Sequence, residues 1–256
     1  MNDHPAVLTE TSGRVLLITI NRPDQRNAVN AAVAEGIASA LDQLDSADEL
    51  SLGILTGAGK GFCAGMDLKA FVAGERPYAG DRGFAGITQR AAEKPLIAAV
   101  EGFAVAGGLE VALACDLIVA ARGAKLGIPE VKRSLVAAGG ALLRLPRSLP
   151  RNVAMELALT GEPIEAERAH ELGLVNRLAD PGQALPEALE LGEAIAANGP
   201  LALAATKRIM VESADWPESE FFDRQQEIVA PVMGSEDARE GATAFAERRP
   251  PVWKGR

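Results

Sequence analysis

Short apolar runs recur through the first half of the chain, at residues 14–20, 50–56, 95–100 and 116–121. Their β-branched and aliphatic content suits strands buried on both faces. Helical stretches lie between them, for instance residues 30–44, where Asn30 stands as the N-cap. Strand and helix in alternation predict an α/β body. From about Pro146 only helical patterns follow, at 152–160, 165–172, 184–198, 201–212 and 235–247. Asn198-Gly-Pro200 is a stop signal, so the expected division is an α/β core over 1–198 and a helical segment over 199–256. Residues 71–89, glycine-rich and carrying Pro77 and Tyr78, read as a loop over a site or as a surface excursion; their length favours the loop.

Aromatic residues make up only 4% of the chain against 48% apolar residues in all, so the core must be built from small and aliphatic side chains. The net charge of −9, with no stripe of Lys and Arg to offset it, argues against an extended nucleic-acid footprint. An anionic ligand needs local basic groups, for which Arg22/Arg26, Lys60/Lys69 and Arg248/Arg249 are candidates. Cys63 and Cys115 do not make a disulfide framework. The first residues lack the basic and apolar regions of a signal peptide, and no apolar run is long enough for a bilayer. The expectation is a soluble protein of the cytoplasm.

Several chemistries fail on spacing. The histidines, His4 and His170, lie near no other His or Cys, which argues against a His-based zinc site; no metal is expected. His170 reads as a helix-surface residue, and no Gly-x-Ser-x-Gly elbow accompanies it. The stretch from Gly57 to Gly61 suggests a phosphate loop, but Ile54 stands where the Walker pattern needs its first glycine, and Gly61 where it needs Ser or Thr. Phe62 occupies the third glycine position of the dinucleotide fingerprint.

Two glycine-poised segments remain. In residues 101–116 an apolar strand gives way to Gly107 and Gly108, then to a helical run. Glycines there let a ligand approach unpaired N–H groups, where the helix dipole favours negative charge. Glu110 lies in the first turn of this otherwise apolar helix, and a lone carboxylate on a buried helix needs a reason. The plainer alternatives are stabilisation of its own helix terminus or an arginine partner. The second segment, residues 60–68, also follows a strand, so two N–H groups could aim at one oxygen. Glu130, in Gly127-Ile-Pro-Glu130, meets Glu110 only through tertiary folding; alone it would read as an ordinary loop carboxylate.

These segments, with Asn21-Arg-Pro, Leu159-Thr-Gly161, Gly173-Leu-Val-Asn176 and Ala244-Phe-Ala-Glu-Arg248, occur in an order that resembles the enoyl-CoA hydratase/isomerase (crotonase) superfamily over nearly the whole chain. The resemblance implies a crotonase-like spiral of ββα units with a helical C-terminal trimerisation region, assembled as a trimer or a dimer of trimers. It implies an oxyanion hole from the N–H groups of Met66 and Gly107. Arg26, Ala28, Ala64, Asp67, Leu68, Gly108 and Ala138 match substrate- or coenzyme-A-binding positions. Phe245 and Arg248 match positions that reach coenzyme A, often from a neighbouring subunit. Coenzyme A is part of the substrate, and no separate cofactor is implied.

Hydratases of the superfamily carry both glutamates matched by Glu110 and Glu130, so the expected reaction is reversible hydration of a trans-2-enoyl-CoA, with Glu110 as base and Glu130 as acid. Val136-Ala-Ala-Gly-Gly140 departs from the Pro-Gly-Ala-Gly-Gly loop frequent in β-oxidation hydratases and leaves the acyl group open. The alternatives are a double-bond isomerase, a carnitinyl-CoA-type dehydratase and a non-catalytic acyl-CoA-binding homologue.

Overall fold

The apolar runs pair as strands of one sheet. A computed structural model describes residues 5–256, so His4 lies outside the described residues. In chain order the elements begin β1 (Val7–Ser12), β2 (Val15–Ile20), α1 (Ala31–Ser46), β3 (Leu52–Gly57), α2 (Leu68–Val72), β4 (Leu96–Val100) and β5 (Phe103–Val105). Next come α3 (Gly107–Leu113), β6 (Leu117–Ala121), β7 (Lys125–Gly127), α4 (Ala141–Ser148), α5 (Arg151–Thr160) and β8 (Ile164–Glu165). The rest is α6 (Ala166–Glu171), β9 (Arg177–Ala179), α7 (Ala184–Ala196), α8 (Pro200–Glu212), α9 (Phe221–Met233) and α10 (Glu236–Glu247).

The larger sheet has the order β1-β2-β3-β4-β6-β9, parallel except for the β1–β2 pair. A second sheet has the order β5-β7-β8. The chain steps between the two, β4 then β5 and β6 then β7, and β5 runs straight into α3; this is the ββα winding.

Strand pleating sorts the core into two layers. Val15, Leu52, Ile54, Ile97, Ala99 and Val119 face α7, whose Ala184, Ala188 and Gly192 let it sit close to the sheet. The alternate residues Leu16, Ile18, Ile20, Leu55, Ala98 and Val100 face the other way, toward α1 and the second sheet. Both faces are covered, which is why the runs read as continuously apolar. Asn30 caps α1, its side chain accepting from the Val33 N–H at 3.1 Å.

The helical reading beyond Pro146 needs correction at β8 and β9, whose two and three residues are too short to show a strand period. Residues 71–89 divide: 71–76 run exposed over the surface, whereas Arg82, Phe84, Ile87 and Thr88 are buried, and Arg82 reaches the carbonyls of Arg90 and Ala91. From Pro200 onward the chain forms only helices and a C-terminal tail. Lys207 on α8 ties it to the core through Asp116 at 2.7 Å and the Lys94 carbonyl at 2.9 Å. Among the described residues no helix is long and apolar enough to cross a membrane.

Candidate active site

The two glycine-poised segments lie against each other. The Val105 N–H donates to the Cys63 carbonyl at 3.1 Å and Val29 to Gly65 at 2.8 Å, so residues 63–67 are strapped between β5 and the loop before α1. Close approach dictates the glycines. A Cβ on Gly65, whose φ is +90°, would lie 2.9 Å from the Gly107 nitrogen, and one on Gly108 would collide with the Cys63 carbonyl. Gly108 therefore packs the segments together and lines neither cavity described below. Ala106, just before α3, is held at φ +53°, an expensive conformation for a residue with a Cβ and one that turns the helix start toward the cavity.

This arrangement leaves two amides free at one spot. Gly107 opens α3, so its N–H has no partner within the helix. The Met66 N–H meets no backbone acceptor among the described residues, while its neighbours Gly65 and Asp67 are engaged. Both residues line a cavity of about 310 Å³, shared with Ala64, Tyr78, Phe84, Glu110 and Glu130. Ala138 and Arg133 also line it. The T-shaped pair Tyr78–Phe84 brings the 71–89 segment to its wall, and a Cβ on Gly107 would lie 2.6 Å from the Phe84 ring.

Glu110 is 4% exposed. Its carboxylate neither caps its own helix nor pairs with an arginine. Oε1 instead accepts from the Gly139 N–H at 2.6 Å and the Ala141 N–H at 3.2 Å. Burying a carboxylate costs several kcal/mol. Hydrogen bonds to a charged group return about 1.5–3 kcal/mol each, so the two amides offset much of that cost without cancelling it. Burial accordingly pushes the Glu110 pKa above the ordinary range, against the pull of these amides and of the Arg144 charge.

Glu130 sits on the 3-10 turn Pro129–Arg133 that follows β7. Its pKa is also raised, first by burial and then by the charge of Glu110, with Arg133 opposing. Glu130 Oε2 is buried with no partner among the described residues, the condition of a group awaiting a small polar molecule.

A second, open groove of about 1440 Å³ adjoins this cavity, sharing Arg26, Met66 and Leu68 with it and reaching Arg22, Ala28, Asp67 and Lys69. Arg26 stacks over Phe103 at 4.5 Å. Asp67 has structural work as well: it caps α2 and pairs with Arg22 at 2.9 Å. Asn27 escaped sequence reasoning although it organises this wall. Buried and at φ +55°, it donates to the Ala58 and Gly61 carbonyls at 2.9 and 2.7 Å and accepts from the Arg22 N–H at 3.0 Å. That the Gly139 and Ala141 amides hold Glu110 also escaped sequence reasoning, because a bond spanning 29 residues leaves no local trace.

Phe245 and Arg248, at the end of α10, line neither cavity of this chain, and Phe245 is 87% exposed. His170 is exposed on α6, its Nδ1 2.8 Å from the Val175 carbonyl. Among the described residues no three His, Cys, Asp or Glu side chains gather as a metal-ligand set.

Comparison with known proteins gives one consistent answer. The family description "Enoyl-CoA hydratase/isomerase" matches residues 10–256. The crystal structure of enoyl-CoA hydratase EchA1 from Mycobacterium marinum is similar with a TM-score of 0.97 and 60% identity, over 99% of this chain and 100% of that one. Enoyl-CoA hydratase EchA19 from Mycobacterium tuberculosis is 44% identical, over 98% of this chain and 97% of its own. A carnitinyl-CoA dehydratase from Salmonella agona is 42% identical, over 96% of this chain and 97% of its own.

Proposed function

Because this chain belongs to the enoyl-CoA hydratase/isomerase family, we propose that it hydrates a trans-2-enoyl-CoA thioester, reversibly, to the 3-hydroxyacyl-CoA. It is an enzyme, a hydro-lyase. The observation that carries the reading is the meeting of two raised-pKa carboxyl groups, Glu110 and Glu130, with two unengaged backbone amides in one cavity.

The chemistry follows from that geometry. The thioester oxygen takes the Met66 and Gly107 N–H groups, which strengthen their hold as negative charge grows on it; each such donor is worth about 3–4 kcal/mol in the transition state. This polarisation makes C3 electrophilic. Water, held between the two carboxyl groups, gives its proton to Glu110 and its oxygen to C3, while Glu130 gives its proton to C2. The product gains one O–H at C3 and one H at C2. Dehydration retraces the path with the roles reversed.

The assignment of acid and base has an electrostatic ground. Two amides and a nearby cation favour the charged form of Glu110, and that charge keeps the proton on Glu130. Burial raises both pKa values, and the two carboxyl groups titrate as a pair, so the pH profile of activity belongs to the pair. The adjoining groove, with Arg22, Arg26 and Lys69, takes the phosphorylated end of coenzyme A, and Ala28, Ala64 and Leu68 line its approach.

The similarity to a carnitinyl-CoA dehydratase supports a second reading, elimination of water from a 3-hydroxyacyl-CoA in the cell. A panel of trans-2-enoyl- and 3-hydroxyacyl-CoA thioesters with product identification separates the readings. Water addition across C2–C3 is the expected outcome; a shifted double bond without water would point to an isomerase.

Helices α8–α10 form the oligomerisation region of this reading. Met210, Phe222, Met233 and Phe245 are exposed there, supporting a trimer or dimer of trimers in which Phe245 and Arg248 reach a neighbouring subunit's groove. The buried free thiols of Cys63 and Cys115 support a cytoplasmic setting.

A further inference from the structure

Arg144 lies on α4, half-buried, four residues beyond Gly140. Its Nη2 donates to the Thr88 carbonyl at 2.6 Å, and its Nη1 reaches the Gly139 carbonyl at 3.4 Å. Among the described residues no carboxylate lies within 4.0 Å of it. A cation moved from water onto two carbonyls, without a directly bonded anion, is costly. The main opposing charge acts through space: burial lowers the Arg144 pKa, and Glu110 is the first influence that raises it.

Gly139 and Gly140 show how closely the two charges flank the loop. A Cβ on Gly139 would lie 2.5 Å from Glu110 Oε2, and one on Gly140, at φ +105°, would collide with Arg144 Nη1. The glycine pair is a side-chain-free partition, with the acid against one residue and the cation against the next. Gly139 is engaged on both sides, its N–H by Glu110 and its carbonyl by Arg144.

We propose that Arg144 is a positioning residue for Glu110: it clamps the Gly139–Ala141 loop so that two amides stay on the carboxylate, and it sets a fixed positive charge behind them. It lines neither cavity, so it touches neither substrate nor reacting atoms and acts through the residues it holds, Glu110 first. Through Thr88 it also joins this loop to the segment that carries Tyr78 and Phe84. The other titratable groups facing the pair are Glu130 on its 3-10 turn, Arg133 and Arg26 on the cavity wall, Tyr78 opposite, and Arg147 one turn on along α4. Cys115 lies two residues beyond α3, and burial pushes its thiol up to about 12, so it stays neutral.

The kinetic arm rests on the proposed hydration; a second readout does not. Removing the cation raises the Glu110 pKa, so the ionised base is lost at a higher pH as the solution is acidified. In Arg144→Met the acid limb of kcat/KM against pH is expected to move up by roughly one unit, the usual effect of losing a nearby opposite charge. Arg144→Lys should return the limb most of the way, and Arg144→Gln, which keeps donors without charge, should not. Carboxyl ¹³C titration of Glu110 in the free protein, assigned with Glu110→Gln, should show the same order without turnover. Should the Met variant fail to fold, the Lys and Gln variants carry the comparison. An unmoved acid limb and an unmoved Glu110 titration in the charge-free variants would overturn the proposal. A wild-type protein that hydrates no enoyl-CoA, while the Glu110 titration still moves, would overturn the hydration reading and leave this one standing.

Discussion

The wall of the cavity around Glu110 and the C-terminal helices handle charge in opposite ways. Around Glu110 the acid is buried, bonded to backbone amides, and answered by a cation only across a glycine partition. In the α8–α10 region the acids pair at the surface, Glu212 with Arg208, Glu220 with Arg224 and Glu240 with Arg249, at 2.6–2.7 Å, the first two pairs open to water and Glu240 partly covered. The apolar side chains are reversed as well: the core buries its Leu and Ile, whereas the C-terminal helices leave Phe222 75% exposed. Charge held away from water is available for chemistry at a cost in stability, whereas charge paired in water adds little of either.

Three substitutions probe that contrast, beginning with the largest effect. Gly139→Ala inserts a Cβ 2.5 Å from Glu110 Oε2, displacing the carboxylate or its donor loop. Steady-state kinetics should show kcat down by about 10²-fold, the usual consequence of misplacing a reacting group by an ångström, with circular dichroism unchanged. A near-normal kcat would show that the loop tolerates movement and that the tight partition has no role.

Glu130→Gln tests the stability cost. The folded-state pKa of Glu130 lies above its unfolded value, so its protonated form favours folding. That contribution is complete below the ordinary glutamate range and lost as pH rises through the raised value. The neutral variant should melt higher at pH 7, by on the order of 2–4 °C, and match the wild type near pH 4. A lower Tm at pH 7 would mean that the carboxylate stabilises the fold. Arg224→Ala, at an exposed pair four residues apart on and before α9, should change stability by no more than about 0.5 kcal/mol in urea melts. A loss well above that would erase the contrast between the two regions.

Much of this was legible in the sequence because it was local. The parallel strands announced themselves as apolar runs, Asn30 as a cap, and Glu110 as a lone acid on an apolar helix. The three-residue strands β5, β7 and β9 gave no period to read, and β1, mostly exposed, went unread. Helix α9 went unread, with Pro231 inside it. The site was half legible: glycine spacing pointed to Met66 and Gly107, but what holds Glu110 comes from residues 139, 141 and 144, where two unremarkable small residues and an apparent surface arginine gain meaning only when α4 packs beside α3.

Water addition in ¹⁸O-labelled water, with a short trans-2-enoyl-CoA, tests the central claim most directly. The wild type should deplete the conjugated thioester absorbance and place one labelled oxygen at C3. Glu110→Gln and Glu130→Gln should each slow this by about 10²–10⁴-fold while still binding the thioester. Labelled product formed at the wild-type rate by either variant, or no label at C3 from the wild type, would contradict the two-glutamate account.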